Sequence, residues 1–190
     1  MTNHSAGACS LPPSHVDDLS MKTLTLLAMA LITQIGTLAA QQEPITKRVA
    51  FGQHCFWTGE MKLGQIEGVV RTEAGFIAGR EVTLVEYAPD KLPLEELARR
   101  AKQAGLADSI HLDRESQAAV AGVAAGKSLA GNYHVAPADD QKKQIQGTPF
   151  SRLQLTPAQA TKVNAFAREN PPKAVEWLTP AQRDQLKGGR

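Results

Sequence analysis

Cysteine is scarce: the 190 residues hold two, Cys9 and Cys55. Charge of one sign is also lacking, since 21 Lys and Arg against 19 Asp and Glu leave a formal excess of +2. So small an excess argues against binding to nucleic acid or to an anionic membrane surface. Apolar runs are short. The longest, Leu24 to Ala39, is interrupted by Thr33, Gln34 and Gly36, and falls below the ~20 apolar residues that a membrane span needs. With Lys22 before it and Ala39-Ala40 after it, the run reads as a secretory signal peptide over 21–40, cleaved near Ala39 or Ala40. Residues 1–20 carry Asp17 and Asp18 but no Lys or Arg, and are read as an upstream extension outside the natural start at Met21. An uncleaved anchor holding the domain at a membrane is the alternative. The exported chain would be periplasmic or extracellular, with a charge of +3 because Lys22 leaves with both aspartates.

Removal of the leader would take Cys9 with it and leave Cys55 as a lone thiol in an oxidising compartment, where no intrachain disulfide can form. A lone exported thiol is a liability unless it is used. Cys55 stands where an apolar run, Val49-Ala50-Phe51, gives way to an amphipathic stretch beginning Phe56-Trp57. That is a helix start, where free backbone N–H groups and the positive end of the macrodipole favour the thiolate, the nucleophilic form. The structural alternative is a small buried hydrophobe, a common fate of free cysteine.

The pattern along the chain predicts a strand over 46–53, a helix over 56–66, a hairpin of strands 69–77 and 81–87 around Ala78-Gly79-Arg80, a helix over 92–104 and a short strand over 109–112. The order β-α-β-β-α-β predicts an α+β fold of the ferredoxin-like split βαβ type, an antiparallel sheet with helices on one face, over 46–112. Residues 113–190 are expected to add a loop-rich and helical C-terminal extension. Within it, 117–129 reads as a weak helix or loop and 131–147 as turn-rich and polar. The pentad Leu-Thr-Pro-Ala-Gln occurs at 155–159 and again at 178–182, each a helix start with Thr as N-cap and Pro at the first position. The first of these helices should bury Ala160, Val163 and Phe166, and Trp177 should pack the last helix on the domain.

Cys55-Phe56-Trp57 with Glu60, then Ile66-Glu67-Gly68-Val69 and Ala74-Gly75-Phe76-Ile77-Ala78-Gly79, resemble the Gly-Cys-Phe-Trp-Gly-x-Glu, Pro-Gly-Val and Gly-Tyr-x-Gly-Gly series of the peptide methionine sulfoxide reductase A family. The resemblance spans residues 48–104. It implies that Cys55 attacks a sulfoxide sulfur, that Phe56 and Trp57 hold the S-methyl group, and that Glu81 protonates the departing oxygen. It implies oxidised methionine in proteins or peptides as substrate, with preference for the S epimer. No bound cofactor is implied. The cysteine sulfenic acid product would be reduced by an external thiol, thioredoxin-like or small.

The sequence departs from that series at several points. His54 and Thr58 replace glycines, Phe76 stands for the usual tyrosine, and only Arg80 separates Gly79 from Glu81, where the family carries a loop with a tyrosine hydroxyl. No second tyrosine motif follows the second helix, so Tyr133 is the candidate substitute and joins Phe56, Trp57 and Phe76 as an expected substrate-binding residue. A second thiol to resolve the sulfenic acid is absent from the exported chain. Two functions remain open: the reductase, and a non-catalytic ferredoxin-like binding module that kept the fold. Glu81 has the competing reading of an exposed hairpin residue, and Glu60 that of a surface or helix-packing residue. No pairing of His54, His111 or His134 with Cys55 has metal-ligand spacing, so no metal site is expected.

Overall fold

The computed structural model describes residues 45–130 and 133–188. The expectations for 1–20 and 21–40, and Cys9 with them, lie outside these residues. The chain is a mixed α/β protein. Its sheet has six strands in the order β5-β4-β1-β3-β2-β6, with β1 Lys47–Gly52, β2 Val69–Ile77, β3 Arg80–Tyr87, β4 Ser109–Leu112, β5 Gly126–Ser128 and β6 Tyr133–Val135. The helices are α1 Phe56–Gly64, α2 Leu94–Gln103, α3 Pro157–Phe166, α4 Pro171–Val175 and α5 Pro180–Gly188.

From β1 to β4 the elements follow β-α-β-β-α-β along the chain. The sheet they enter differs from the expected antiparallel one. Segments expected to be a weak helix or loop (117–129) and turn-rich (131–147) supply the two outer strands: β5 runs parallel to β4, and β6 pairs antiparallel with the end of β2. Neither outer strand exceeds three residues, too short for the period-2 alternation that identifies a strand in sequence. The β2–β3 hairpin turns at Ala78 and Gly79, both with positive φ (51° and 72°), as tight two-residue hairpin turns require.

Strand alternation sorts the side chains. Val49, Phe51, Val85, Tyr87, Ile110 and Leu112 share one face with Leu63 of α1 and with Leu97, Ala98 and Ala101 of α2. The opposite face carries Ala50, Ile77, Val82 and Leu84, packed against Leu129 and Tyr133. On α1, Phe56, Gly59, Glu60, Leu63 and Gly64 are buried, the i, i+3, i+4, i+7 stripe of a helix lying on a sheet. Gly59 allows the close approach, because a Cβ there would overlap the Thr83 hydroxyl.

The C-terminal segment departs from its pattern. Helix α3 buries Thr161, Lys162, Val163, Asn164 and Ala165, whereas Ala160 and Phe166 are only half-buried. Three of the buried positions are polar because they bind the backbone of neighbouring elements. Thr161 Oγ1 accepts from Thr72 N (3.0 Å), Asn164 Oδ1 from Gln144 N (2.9 Å), and Lys162 Nζ donates to Gly64 O (2.8 Å). Both repeated pentads form reciprocal caps, Thr156 with Gln159 and Thr179 with Gln182. Gln159 Nε2 also donates to Gln182 Oε1 (2.9 Å), tying the two helix starts together. Trp177, expected to pack the last helix on the domain, remains 43% exposed, with its ring centroid 5.5 Å from Lys162 Nζ of α3.

Candidate functional site

Strand β1 ends at Gly52, and three residues later the chain enters α1 with Cys55 as its N-cap residue, in extended backbone conformation. The Cys55 side chain makes no capping hydrogen bond. Glu81, at the start of β3, takes that role: its Oε2 accepts from Phe56 N at 2.8 Å. A carboxyl oxygen there satisfies one of the N–H groups that a helix start leaves unpaired. Next to it, Gln53 N donates to Glu81 O (3.3 Å), and the Gln53 amide meets the Thr83 hydroxyl at 2.6 Å. The residue expected as acid is therefore fixed one residue from the residue expected as nucleophile. Cys55 itself is half-buried and free.

Phe76 is the cross-strand partner of Glu81 and shares its face of the sheet. The Phe56 ring stands edge-on to Phe76 (centroids 5.4 Å apart, 76° between planes) and to Trp57 (6.1 Å, 63°). With Ala74 and Ala136 these rings form a small apolar cluster beside the helix start. Phe56 is buried within it, while Trp57 and Phe76 keep partial exposure. Lys143 Nζ lies 4.8 Å from the centroid of the Trp57 ring, in cation–π range. Trp57 Nε1 is buried and finds no hydrogen-bond partner among the described residues.

Five of the six residues named from sequence thus meet at one place: Cys55, Phe56, Trp57, Phe76 and Glu81. Tyr133 does not join them. It pairs with Ile77, whose side chain is on the far side of the sheet, and its ring lies over Gly75, where a Cβ would overlap it. Its hydroxyl donates to Glu73 Oε1 at 2.8 Å. Burial and the Glu73 carboxylate raise its pKa, so the phenol stays neutral. The next residue, His134, pairs with Phe76 instead and is exposed. Alternation puts it on the Cys55 side, in the row Glu81, Phe76, His134 across three strands.

The segment 136–147 walls the cluster. Gln141 pairs by its amide with Ala74, accepting from N (3.0 Å) and donating to O (2.8 Å), which continues the β2 edge after β6 ends. Lys142 donates through Nζ to the Glu60 carboxylate and to Thr72 O, and through its backbone N to Glu60 Oε2 (2.7 Å). Glu60 is fully buried, which rules out its reading as a surface residue and agrees with that of a helix-packing one. Its burial was visible in its spacing four residues after Phe56. The lysine that neutralises it carried no local signal.

No protein-family model matches the sequence, and no curated protein does. Among solved structures, the chain is similar to methionine sulfoxide reductase A of Corynebacterium diphtheriae. They are 18% identical, the match covers 62% of this chain and 81% of that one, and the TM-score is 0.46. The likeness is distant.

Proposed function

We propose that this chain is an exported, thiol-dependent reductase of methionine S-sulfoxide, free or protein-bound, and that its inner strands β4-β1-β3-β2 with α1 and α2 form a split βαβ unit. The observation that carries the reading is the Glu81 carboxyl group on Phe56 N–H at 2.8 Å, which seats a group able to carry a proton beside Cys55. Phe76 and Trp57 offer apolar surface for a methyl group. In the reaction, Cys55 sulfur bonds to the sulfoxide sulfur, the oxygen gains a proton from Glu81, and sulfide leaves as the oxygen passes to Cys55 as a sulfenic acid. A sulfoxide oxygen leaves poorly unless protonated, hence the need for the acid. Two equivalents of an external thiol then restore Cys55 with release of water and a disulfide.

One observation favours a second reading. Neither tyrosine reaches the site, since Tyr87 is buried in the core and Tyr133 lies across the sheet. A binding module that kept the fold would look the same. Turnover of each epimer of a methionine sulfoxide peptide with dithiothreitol separates the two. The reductase consumes the S epimer and, without reductant, stops after one turnover with a dimedone-reactive Cys55. Consumption of neither epimer and absence of adduct on reduced protein leave only the binding module.

A further inference from the structure

At the far end of α1 from Cys55 lies a cavity of about 660 Å³ between the start of β2, the end of β3 and the C-terminal helices. That volume is within the range of small-molecule sites. Its lining shares no residue with the Cys55 site. Apolar surface comes from Val69, Ala88, Phe166 and the exposed Trp177 ring.

Lys162 is among the lining residues and is only 7% exposed. Its ammonium donates to two neutral carbonyls, Gly64 O (2.8 Å) and Ile66 O (3.0 Å), and lies 5.5 Å from the Trp177 ring centroid. An ammonium has three donors, and two are used by these carbonyls. No carboxylate comes within ion-pairing distance of it among the described residues. A buried charge without a counterion is costly, and burial lowers the pKa of this lysine to about 8. Around it, Lys173 is neutralised by Glu176 (2.6 Å), Lys91 is exposed, and exposed Glu67 is a carboxylate whose field reaches Lys162, raising its pKa against the larger effect of burial. With Glu176 counted beside Lys173, three lysines and two glutamates leave this region one positive charge in excess, and Lys162 is its most buried cation, beside an aromatic wall.

We propose that this cavity binds a small aromatic monocarboxylate, with the carboxylate on the free N–H of Lys162 and the ring against Trp177 and Phe166. Phenylacetate is the probe, titrated calorimetrically into the full chain, with phenylacetamide as its neutral isostere. A fragment of this size binds in about the millimolar range. The acid should bind saturably and at least about tenfold more tightly than the amide, a gap of the size expected for a charge-assisted contact. Trp177→Ala and Lys162→Met should each weaken the acid, and Trp57→Phe should not. The acid–amide comparison needs no substitution, so it stands even if Lys162→Met fails to fold. Equal affinities for acid and amide, no saturable binding of the acid, or loss of binding in Trp57→Phe with Trp177→Ala unchanged would each overturn the proposal.

Discussion

Replacing Lys142 by methionine tests whether the wall of the aromatic cluster is held by one buried ion pair. Glu60 is fully buried and Lys142 is 17% exposed, so the carboxylate has no water to replace its partner, whereas the ammonium keeps partial access to solvent. Methionine keeps the stem and the Cβ, and therefore the same φ of 49° at this position. What changes is the ammonium. Glu60 would keep the backbone N–H of residue 142 at 2.7 Å but lose its counterion, and Thr72 O would lose its donor. Breaking one partner of a buried pair costs about 3–5 kcal/mol, a large share of the ~5–15 kcal/mol that holds a domain folded. Glu60→Gln removes the charge while keeping an acceptor, so it should cost less, about 1–3 kcal/mol. The double variant should be more stable than Lys142→Met alone, because the stranded carboxylate is gone. Urea unfolding of the four proteins, followed by circular dichroism, gives the coupling directly. A Lys142→Met cost within about 0.5 kcal/mol of zero, the usual range for surface substitutions, would refute the buried-pair reasoning. So would strict additivity in the double variant.

Lys162 predicts a pH dependence. Its folded pKa of about 8 lies below the ordinary 10.5, so between those values the unfolded chain binds more protons and stability rises with pH, by up to roughly 3 kcal/mol. The gain is complete above the unfolded pKa and is lost as pH falls through 8. Tyr87 and Tyr133, whose folded pKa values are raised, oppose it as pH passes 10, so the rise should be clearest between pH 8 and 10 in urea midpoints and absent from Lys162→Met; a rise that survives in that variant assigns it elsewhere. At the candidate site, Glu81→Gln keeps an acceptor for Phe56 N–H but not an acidic proton, and should slow sulfoxide reduction by ~10²–10⁴-fold with little change in KM, whereas Glu81→Ala should also cost about 1 kcal/mol through loss of the helix cap; an unchanged kcat in Glu81→Gln would remove Glu81 as the acid. Gly75→Ala should displace the Tyr133 ring and loosen β6, at a cost of about 1–3 kcal/mol for overpacking, visible as faster amide exchange at 133–135; native exchange there would mean that the ring does not rest on Gly75.

How far the sequence led depended on the range of the signal. The helix start at Cys55 was legible because a strand ends at Gly52 and an amphipathic stripe begins at Phe56, and both are local patterns. Glu81 beside Cys55 is implied only by the family resemblance; the hairpin pattern alone, with its turn marked by Gly79, reads Glu81 as an exposed hairpin residue. Tyr133 was misplaced for a different reason. In a strand of three residues the parity is free, and sliding the β6 register on β2 by one residue exchanges its two faces. Such a slide would set Tyr133 opposite Phe76, with its hydroxyl on the Cys55 side, and turn His134 away. What fixes the observed parity is chemistry from outside the strand. Gly75 opens a place for the Tyr133 ring, Glu73 accepts its hydroxyl, and Gln141 holds the Ala74 backbone just beyond the strand end. Tyr133 lies 58 residues from Gly75 and 60 from Glu73, and Gln141 lies 67 from Ala74, so no window short enough to show strand alternation contains both sides of the choice. The same holds for Lys142, which is 82 residues from Glu60. The charged residue on the buried stripe announces that a partner must exist, and only the folded chain identifies it. It follows that His134, not Tyr133, is the polar residue that register puts beside Phe76 on the Cys55 side, and that a hydrogen-bond donor for a sulfoxide oxygen should be sought there first.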